Sequence, residues 1–240
     1  MKPKTIVLAG YGLNCEEETA FAFEQAGVSA YIVHLADLIA SPKLLDRHQI
    51  LAIPGGFSYG DHAGSGRAYA NKLKNHLEDA LYRFIARDTL TIGICNGFQI
   101  LVSAGILPGA LLFNDVPRYQ TRWVDLKAEG GSPWLFGVTT MSLPIAHGEG
   151  KYIADEKTLD RLEKEGAAGL RYGQGEMTAR FDLPANPNGS LRAIAGVTAR
   201  AGRVLGMMPH PERCGEGILG GTDGYILFES MVYYREKVAL

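Results

Sequence analysis

Leu90-Thr-Ile-Gly-Ile-Cys-Asn-Gly-Phe-Gln99 is the stretch that decides the fold of this 240-residue chain. Its first half, up to Ile94, is a short apolar run that predicts a buried strand, and a helical pattern from Phe98 to Ala104 follows directly. Cys95 stands at the junction, with glycines two residues before and two residues after it. This is the nucleophile-elbow arrangement with cysteine in place of serine, and it puts the thiol near a helix N-terminus, where the dipole favours the thiolate. The pattern predicts a nucleophilic Cys95; a cysteine that only packs in an apolar core is the alternative.

Towards the N-terminus, short apolar runs that end in glycine or proline alternate with helical patterns. Asn14 is predicted to cap a helix, with Glu17 as its capping-box partner, and this helix ends at Gly27. A longer helix is predicted from apolar residues that repeat at four- and three-residue steps between Tyr69 and Phe84. The strands predicted in this half are residues 5–9, 31–35, 49–53 and 90–94. Strands that alternate with helices predict parallel βαβ units with right-handed crossovers.

Beyond Leu107 the pattern changes, because apolar runs follow one another with little helix between them. The strands predicted there are residues 122–127, 138–146, 169–172, 191–197 and 203–208, and the last two form a hairpin around Ala201-Gly202. Helices are predicted over residues 155–165 and 223–237. The chain shows no repeat, low-complexity tract or linker, so we expect one domain over residues 1–240, built on an open, mixed sheet.

A second candidate for catalysis follows a predicted strand near the end of the sequence, at Met208-Pro-His-Pro-Glu212. A nucleophilic cysteine needs a base, and the base needs an orienting group. Pro211 favours extended backbone at His210, and residues two apart in an extended segment point to the same side. We therefore expect the Glu212 carboxylate to hold one ring nitrogen of His210.

The other histidines are weaker candidates for the base. His147 is the main rival, because Glu149 also stands two residues after it, although the glycines on either side of Glu149 favour a flexible loop. The remaining four are scattered along the chain and carry no motif: His34, His48, His62 and His76.

A third candidate is Pro54-Gly55-Gly56, at the end of the third predicted strand. Glycines at such a place allow backbone N–H groups to face a developing oxyanion, and the N–H of Asn96 is the expected second donor. Taken alone, the tripeptide is equally typical of an ordinary turn.

Composition and charge exclude several classes of function. The formal net charge is −2, with 24 basic and 26 acidic residues, which predicts no broad attraction to nucleic acid or to an anionic membrane. The three cysteines, Cys15, Cys95 and Cys214, are widely spaced and form no CxxC pair, so a disulfide framework or zinc site is not expected, and a reducing, cytoplasmic location is favoured. No metal-ligand spacing and no phosphate-binding GxxxxGKS/T motif occurs. The uncharged stretch 89–113 contains glycines and a proline and predicts strand, turn and helix rather than a membrane span.

Together, the elbow cysteine, the PGG loop and the late His-x-Glu segment resemble the class I, triad-type glutamine amidotransferases. The resemblance narrows to the glutaminase subunits of phosphoribosylformylglycinamidine synthase and runs over nearly the whole chain. CNGFQ and MMPHPER are the segments most specific to that family. The resemblance is carried by residues 12–16 (GLNCE), 54–61 (PGGFSYGD), 95–101 (CNGFQIL), 145–150 (IAHGEG) and 206–213 (GMMPHPER).

The resemblance implies a single flavodoxin-like glutamine amidotransferase domain, with an open, mostly parallel central sheet and helices on both faces. It implies that Cys95 is the nucleophile, His210 the base and Glu212 the residue that orients the base. It also implies that Gly56 and Asn96 supply backbone N–H groups to the oxyanion. Two further residues are expected beside the substrate: Gly55 and Gln99.

The activity that the resemblance implies is hydrolysis of L-glutamine to glutamate and ammonia through a cysteine thioester. The ammonia would convert formylglycinamide ribonucleotide to formylglycinamidine ribonucleotide in purine biosynthesis. ATP and magnesium are expected on a larger synthetase partner, with a small accessory subunit as a further partner. Departures from the family's pattern occur at residues 62–67, at residues 114–119 and at Glu16. The two segments concern substrate or partner contacts rather than the triad.

Three alternatives remain open from the sequence. One is a class I glutaminase that serves another synthetase, and another is a stand-alone cysteine hydrolase that acts on small molecules or peptides. The third is a non-catalytic binding module that has kept the fold. All three triad residue types are present, which argues against the last.

Overall fold

A nine-stranded sheet forms the centre of the chain, and the computed structural model describes residues 2–61, 64–215 and 221–237. The strands lie in the order β2-β1-β3-β4-β11-β10-β9-β6-β7, and β5 pairs with β8 in a separate two-stranded ladder. The strands are β1 Lys4–Ala9, β2 Ser29–His34, β3 Ile50–Ile53, β4 Leu90–Ile94, β5 Ala110–Leu112, β6 Gln120–Ala128, β7 Thr140–His147, β8 Lys151–Ile153, β9 Leu170–Gly173, β10 Ile194–Ala199 and β11 Val204–Met207.

The five strands from β2 to β11 pair parallel throughout, and this half of the sheet carries the helices. The step from β1 to β2 runs one way along the sheet and the step from β3 to β4 runs the other way. Right-handed crossovers therefore place the intervening helices α1 and α3 on opposite faces. The helices are α1 Glu16–Gln25, α2 Leu35–Ala40, α3 Arg67–Ala86, α4 Asn96–Ser103, α5 Glu156–Lys164, α6 Glu176–Arg180 and α7 Asp223–Lys237.

Each face of the parallel half is covered by a pair of helices. On one face α1 packs with α7, where the rings of Phe23 and Phe228 meet edge to face with centroids 4.9 Å apart. On the other face α3 packs with α4. Every residue of β3 and β4 is buried, as expected for strands covered on both sides. The predicted α/β class, with a mixed sheet flanked by helices, is confirmed.

The remaining strands, from β10 to β7, pair antiparallel with their neighbours. The hairpin predicted around Ala201-Gly202 joins β10 to β11, with Ala199 opposite Val204. Because β11 is also the parallel neighbour of β4, it joins the two halves of the sheet. The strand that precedes the predicted His-Pro-Glu segment thus lies beside the strand that leads into the elbow.

The prediction that Asn14 caps the first helix is wrong. The helix begins at Glu16, and the capping position is held by Cys15, with no side-chain cap. Asn14 instead donates its backbone N–H to the Gly55 carbonyl at 3.2 Å, because the segment before the helix pairs with the glycine loop after β3. The predicted end of the helix is confirmed, since Gly27 has a φ of +82°.

Other differences concern short elements. Leu35, predicted at the end of a strand, is the first residue of α2, where the His34 ring accepts a hydrogen bond from the Ala36 N–H. The short strands β5 and β8 and the single-turn helix α6 were not predicted. The uncharged stretch 89–113 divides into β4, α4 and β5, and no helix in the described part of the chain has the length and apolar character to cross a membrane.

Candidate active site

Cys95 occupies a sharp turn between β4 and α4, with φ +51° and ψ −104°. A non-glycine residue with positive φ costs on the order of 1–3 kcal/mol and persists only where the surroundings fix it. Its N–H donates to the Met207 carbonyl at 2.7 Å, so the last residue of β11 holds the strained residue in place. The side chain is buried, and its sulfur lies 3.7 Å from the Ala146 carbonyl oxygen. The geometry is that of the predicted nucleophile elbow.

The two glycines around Cys95 have a steric reason. A Cβ at position 97 would lie 1.8 Å from the Ile53 carbonyl oxygen, because the start of α4 passes directly over the end of β3. A Cβ at position 93 would lie 2.6 Å from the Gly97 carbonyl oxygen and from the Leu101 side chain. The prediction that the tight turn requires small residues is confirmed.

His210 reaches the same edge of the sheet because β11 lies next to β4, with Met207 opposite Ile94. Its N–H donates to the Pro144 carbonyl at 2.9 Å, which fixes the segment against β7. The Nδ1 atom lies 2.6 Å from Oε1 of Glu212, and both side chains are buried. The predicted histidine–carboxylate pair is therefore formed, with the two residues on one side of the segment.

The Glu212 contact decides which ring nitrogen of His210 is available for chemistry. With Nδ1 held by the carboxylate, Nε2 makes no hydrogen bond to a described residue. Burial lowers the pKa of His210, but the negative charges of Glu212 and Cys95 raise it by more, so the net pKa lies above the usual value of histidine. An imidazolium that forms on accepting a proton from the thiol is thus stabilised by a buried carboxylate.

His147, the rival base, has different surroundings. Its Nδ1 lies 3.1 Å from Oδ1 of Asn114, an amide rather than a carboxylate. Burial, with a smaller contribution from the positive charge of His210, lowers the pKa of His147 to about 3. No described ion pair joins it to Glu149, whose backbone carbonyl instead accepts from the Gln99 side chain. The structure therefore gives His210, and not His147, the carboxylate that a triad base requires.

The loop after β3 brings Gly56 next to the residues that precede α1. Gly56 has φ +150°, and a Cβ there would lie 2.5 Å from the Gly12 carbonyl oxygen. Gly56 lies opposite Leu13 in a short antiparallel ladder. The hydrogen bonds of this ladder come from the N–H groups of Asn14 and Phe57, so Gly56 and Leu13 are a non-hydrogen-bonded pair. The Gly56 N–H is thus left unused by this ladder.

The second predicted oxyanion donor is at the start of a helix. Asn96 is the first residue of α4, so its N–H is one of those that a helix leaves without an internal partner. Gly55 has another role in the geometry. A Cβ there would lie 2.9 Å from Cε1 of His210, so only glycine lets the imidazole approach the loop.

A small pocket of about 110 Å³ opens onto Cys95 and His210. Phe57 and Tyr119 stand at its rim with ring centroids 6.0 Å apart. Gln99 is not among the residues that line the pocket; it faces a separate cavity of about 570 Å³, and its carboxamide is bonded to Asn96 and to Glu149. The expectation that Gln99 lies beside the substrate stays a prediction. The pocket is lined by Asn14, Cys15, Glu18, Gly56, Phe57, Cys95, Tyr119, Ala146, His210 and Arg213.

Cys15 and Arg213 also line this pocket, although no role was predicted for either of them from the sequence. Arg213 donates through Nη2 to the Cys15 sulfur at 3.5 Å, and its Nε lies 3.9 Å from Oε1 of Glu212. Burial, with a contribution from the charge of Glu212, raises the pKa of Cys15 to about 11, so this thiol stays protonated at neutral pH. The signal for Arg213 was its place directly after Glu212; for Cys15 it was the conspicuous GLNCE segment.

The same residues form the one described group with metal-ligand character. The ligand atoms of Cys15, His210 and Glu212 lie within 4.8 Å of one another. The guanidinium of Arg213 contacts both Cys15 and Glu212, so a cationic group of the protein already lies beside the Glu212 carboxylate. His62, one of the scattered histidines, lies outside the described residues.

The comparison with known proteins agrees with this fold and site. Residues 2–220 match the family described as the CobB/CobQ-like glutamine amidotransferase domain, so the chain belongs to the glutamine amidotransferases. Within that class the chain belongs to the PurQ family. It is 46% identical over 226 residues to the Methanococcus maripaludis protein named phosphoribosylformylglycinamidine synthase subunit PurQ, and the match covers 89% of this chain and 84% of that relative. The Thermus thermophilus protein with that name is 42% identical to this chain, and the match covers 92% of this chain and 94% of that relative.

A solved structure supports the assignment independently. The chain superposes on one chain of the structure described as PurLQS from Thermotoga maritima, with a TM-score of 0.78 and 36% identity. The match covers 98% of this chain and 100% of the other. The likeness therefore extends over the whole of the described sheet, including the strands that carry Cys95 and His210.

Proposed function

We propose that this chain is the glutaminase subunit of phosphoribosylformylglycinamidine synthase, releasing ammonia from L-glutamine for a synthetase partner in purine biosynthesis. The observation that carries the proposal is the buried His210–Glu212 pair, 2.6 Å apart, beside the strained Cys95 at one edge of the sheet. The relatives named as subunits of phosphoribosylformylglycinamidine synthase, which match most of this chain, support the assignment of the partner reaction.

The chemistry follows from the placement of these residues. The side-chain amide of glutamine is a poor electrophile, so a thiolate is needed to attack it. His210 takes the thiol proton through Nε2, and Glu212 stabilises the imidazolium through Nδ1. The bond from the Cys95 sulfur to the amide carbon puts negative charge on the amide oxygen, where the N–H groups of Gly56 and Asn96 are the donors. His210 then returns the proton to the departing ammonia, and water hydrolyses the remaining thioester.

The pocket presents charged groups that suit a free amino acid. Glu18 and Arg213 both line it and do not form an ion pair with each other in the described structure. A carboxylate and a guanidinium at the mouth are complementary to the ammonium and the carboxylate of glutamine. The reacting amide would then point inward, towards Cys95.

The ATP-dependent half of the reaction is assigned to another polypeptide. No phosphate-binding GxxxxGKS/T motif occurs in this sequence, so ATP and magnesium are proposed to bind the larger synthetase subunit. The related structure is described as PurLQS, a name that joins this kind of subunit to two others. We propose a larger synthetase and a small accessory subunit as partners of this chain.

The test is a reconstitution that separates the two nitrogen sources. The chain and the synthetase subunits of the same organism are mixed with ATP, magnesium and formylglycinamide ribonucleotide, and product is measured with glutamine or with ammonium chloride. We expect Cys95→Ala to abolish the glutamine-dependent product and to leave the ammonium-dependent product intact. Glutamine-dependent synthesis that survives Cys95→Ala would contradict the proposal, and hydrolysis of peptides in preference to glutamine would favour a stand-alone hydrolase.

A further inference from the structure

The carboxamide of Asn96 joins three segments that surround the reacting sulfur. The residue is fully buried at the start of α4, next to Cys95. Its Oδ1 accepts from the Ser58 N–H at 3.1 Å, and its Nδ2 donates to Oε1 of Gln99 at 2.7 Å. Gln99 in turn donates to the Glu149 carbonyl at 2.6 Å. A continuous chain of hydrogen bonds thus runs from the loop after β3, through the elbow, to the loop after β7.

The pocket is lined by separate parts of the chain. Gly56 and Phe57 come from the loop after β3, whereas Tyr119 precedes β6 and Ala146 lies near the end of β7. The Tyr119 hydroxyl donates to the Ala146 carbonyl at 2.8 Å. The hydrogen-bond chain through Asn96 attaches the loop that carries Gly56 to the elbow and, through Gln99, to Glu149, two residues beyond the end of β7.

The loop that contains Gly56 has few connections to the elbow. Its backbone N–H groups at Phe57 and Tyr59 donate to the carbonyls of Gly12 and Tyr11, which attach it to the segment after β1. Among the hydrogen bonds of the described residues, the one from Ser58 to Asn96 alone connects this loop to the elbow. Because Ser58 is two residues from Gly56, that bond fixes where the Gly56 N–H stands relative to the Cys95 sulfur.

We propose that the Asn96 side chain is a positioning residue for the oxyanion hole, an inference that rests on the proposed glutaminase function. Its backbone N–H is one oxyanion donor, and its carboxamide holds the loop that supplies the other. The role needs an acceptor towards Ser58 and a donor towards Gln99 from one short side chain, and the carboxamide supplies them from two separate atoms, Oδ1 and Nδ2. An aspartate would lose the donor and add a negative charge beside the thiolate.

The test compares two reactions of the same sulfur. Attack on glutamine builds an oxyanion, whereas alkylation by iodoacetamide displaces iodide and builds none. In the complex with the synthetase partner, we expect Asn96→Leu to lower kcat for glutamine by roughly 10- to 100-fold. Outright loss of one oxyanion donor lowers kcat by about 10²- to 10³-fold, and here the donor is displaced but still present. KM is expected to stay within about threefold, because ground-state binding is not the interaction removed. The rate of Cys95 alkylation, and its dependence on pH, should match the wild type.

The matched control is Ser132→Ala. Ser132 is also buried, and its hydroxyl makes two hydrogen bonds, accepting from the Trp134 N–H and donating to the Gly202 carbonyl. Gly202 lies in the turn before β11, at the opposite end of that strand from His210. This variant should lose stability in thermal unfolding while keeping the wild-type kcat, which separates loss of a buried polar group in general from loss of the loop contact.

The outcomes are distinguishable. A kcat of Asn96→Leu within about threefold of wild type, or a parallel loss of alkylation and turnover, would overturn the proposal, since the latter indicates general damage to the site. Wild-type turnover of glutamine is measured first, so failure of the proposed function is seen separately. If the leucine variant does not fold, Asn96→Ala removes both hydrogen-bonding atoms without adding apolar bulk, and the rates of turnover and of alkylation are compared in that variant instead.

Discussion

At the scale of single residues, the site depends on two buried groups with opposite electrostatic surroundings. Glu212 faces His210 and raises its pKa, whereas His147 faces an amide and burial lowers its pKa to about 3. Once Cys95 has given up its proton at neutral pH, His210 is therefore the protonated histidine and His147 is the neutral one. This difference separates their roles, although both stand two residues before a glutamate in the sequence.

The first prediction ranks the two histidines by turnover. His210→Asn removes the proton acceptor for Cys95 and should lower glutamine turnover by about 10³-fold or more, as loss of a triad base does. His147→Asn keeps a polar side chain towards Asn114 and should leave a measurable rate. Steady-state ammonia release by the two variants in the partner complex checks the ranking, and the reverse order would assign the base to His147.

The second prediction concerns the pH dependence of stability. Because the folded-state pKa of His147 is lowered to about 3 from about 6.5, the unfolded chain binds a proton that the folded chain excludes. The contribution of neutral His147 is fully present above about pH 6.5 and is lost as pH falls towards 3, with a slope of at most about 1.4 kcal/mol per pH unit. Urea unfolding between pH 7 and 5 should show a smaller decline for His147→Gln than for wild type. Equal declines would show that His147 is not the group that titrates.

The third prediction tests how the pocket recognises an amino acid. Glu18→Gln removes the charge proposed to face the glutamine ammonium, so KM should rise by about tenfold while kcat changes little. A hydrogen bond to a charged group contributes about 1.5–3 kcal/mol, and the lower end is expected here because Glu18 is solvent-exposed. The matched control is Glu17→Gln, a neighbour on the same helix that does not line the pocket. The ratio of kcat/KM for glutamine to kcat/KM for N-acetylglutamine should fall in Glu18→Gln and stay unchanged in Glu17→Gln. An unchanged KM would remove Glu18 from substrate recognition.

At the scale of elements, the part of the site predictable from sequence is the part formed by neighbours in the chain. The elbow needs only β4, Cys95 and α4, which are consecutive, and their order and glycine spacing predicted the strained turn. The pair His210–Glu212 was predictable for the same reason. The approach of these two pieces was not, because it depends on the pairing of β11 with β4.

The elements that the sequence did not predict owe their structure to contacts far along the chain. Cys15 meets Arg213 across 198 positions, and nothing local to either residue indicates that contact. The expected cap at Asn14 failed because its backbone pairs with the Gly55 loop, which no periodicity in the first 30 residues reveals. The hydrogen bonds of the Gln99 carboxamide to Asn96 and to the Glu149 carbonyl were not predicted, and its expected place beside the substrate stays a prediction.

The fourth prediction belongs to the elbow as an element. Gly97→Ala would place a Cβ 1.8 Å from the Ile53 carbonyl oxygen, which is backbone of a fully buried strand and has little room to move. We expect a loss of more than about 3 kcal/mol in the free energy of unfolding, above the usual cost of overpacking. Gly131→Ala is the control, because nothing lies within 4 Å of its Cβ position and the change should be within about 0.5 kcal/mol. The measurement is the denaturant midpoint of unfolding for each variant. Similar midpoints would show that the backbone around position 97 can move to make room for a Cβ.

At the scale of the whole molecule, the mixed sheet brings the proposed catalytic groups together where its parallel strands end, and aromatic rings stand at the rim of the pocket. Residues after β1, β3, β4 and β11 converge there, as expected where parallel strands end together. Around the pocket, the rings of Phe57 and Tyr119 are 46% and 51% exposed. Phe113 and Val116, in the segment that leads to Tyr119, are 70% and 52% exposed. Exposed aromatic rings at the rim of a polar site, as at Phe57 and Tyr119, are typical of a surface that a partner covers.

The fifth prediction is that the isolated chain is a weak glutaminase that its synthetase partner activates. Ammonia released into water becomes ammonium, which is not nucleophilic, so an ungated glutaminase would waste glutamine. The loop that carries Gly56 is the element to be biased, because it is attached to the elbow by the Ser58–Asn96 bond and contains residues with positive φ at Gly56, Tyr59 and Gly60. A partner that favours the competent loop by about 1–3 kcal/mol would raise turnover roughly 5- to 150-fold. Glutamine hydrolysis is measured with the chain alone, with the synthetase, and with the synthetase and its nucleotide ligands. A chain that is fully active alone, and unchanged by the partner, would show that the loop is already fixed in its competent geometry.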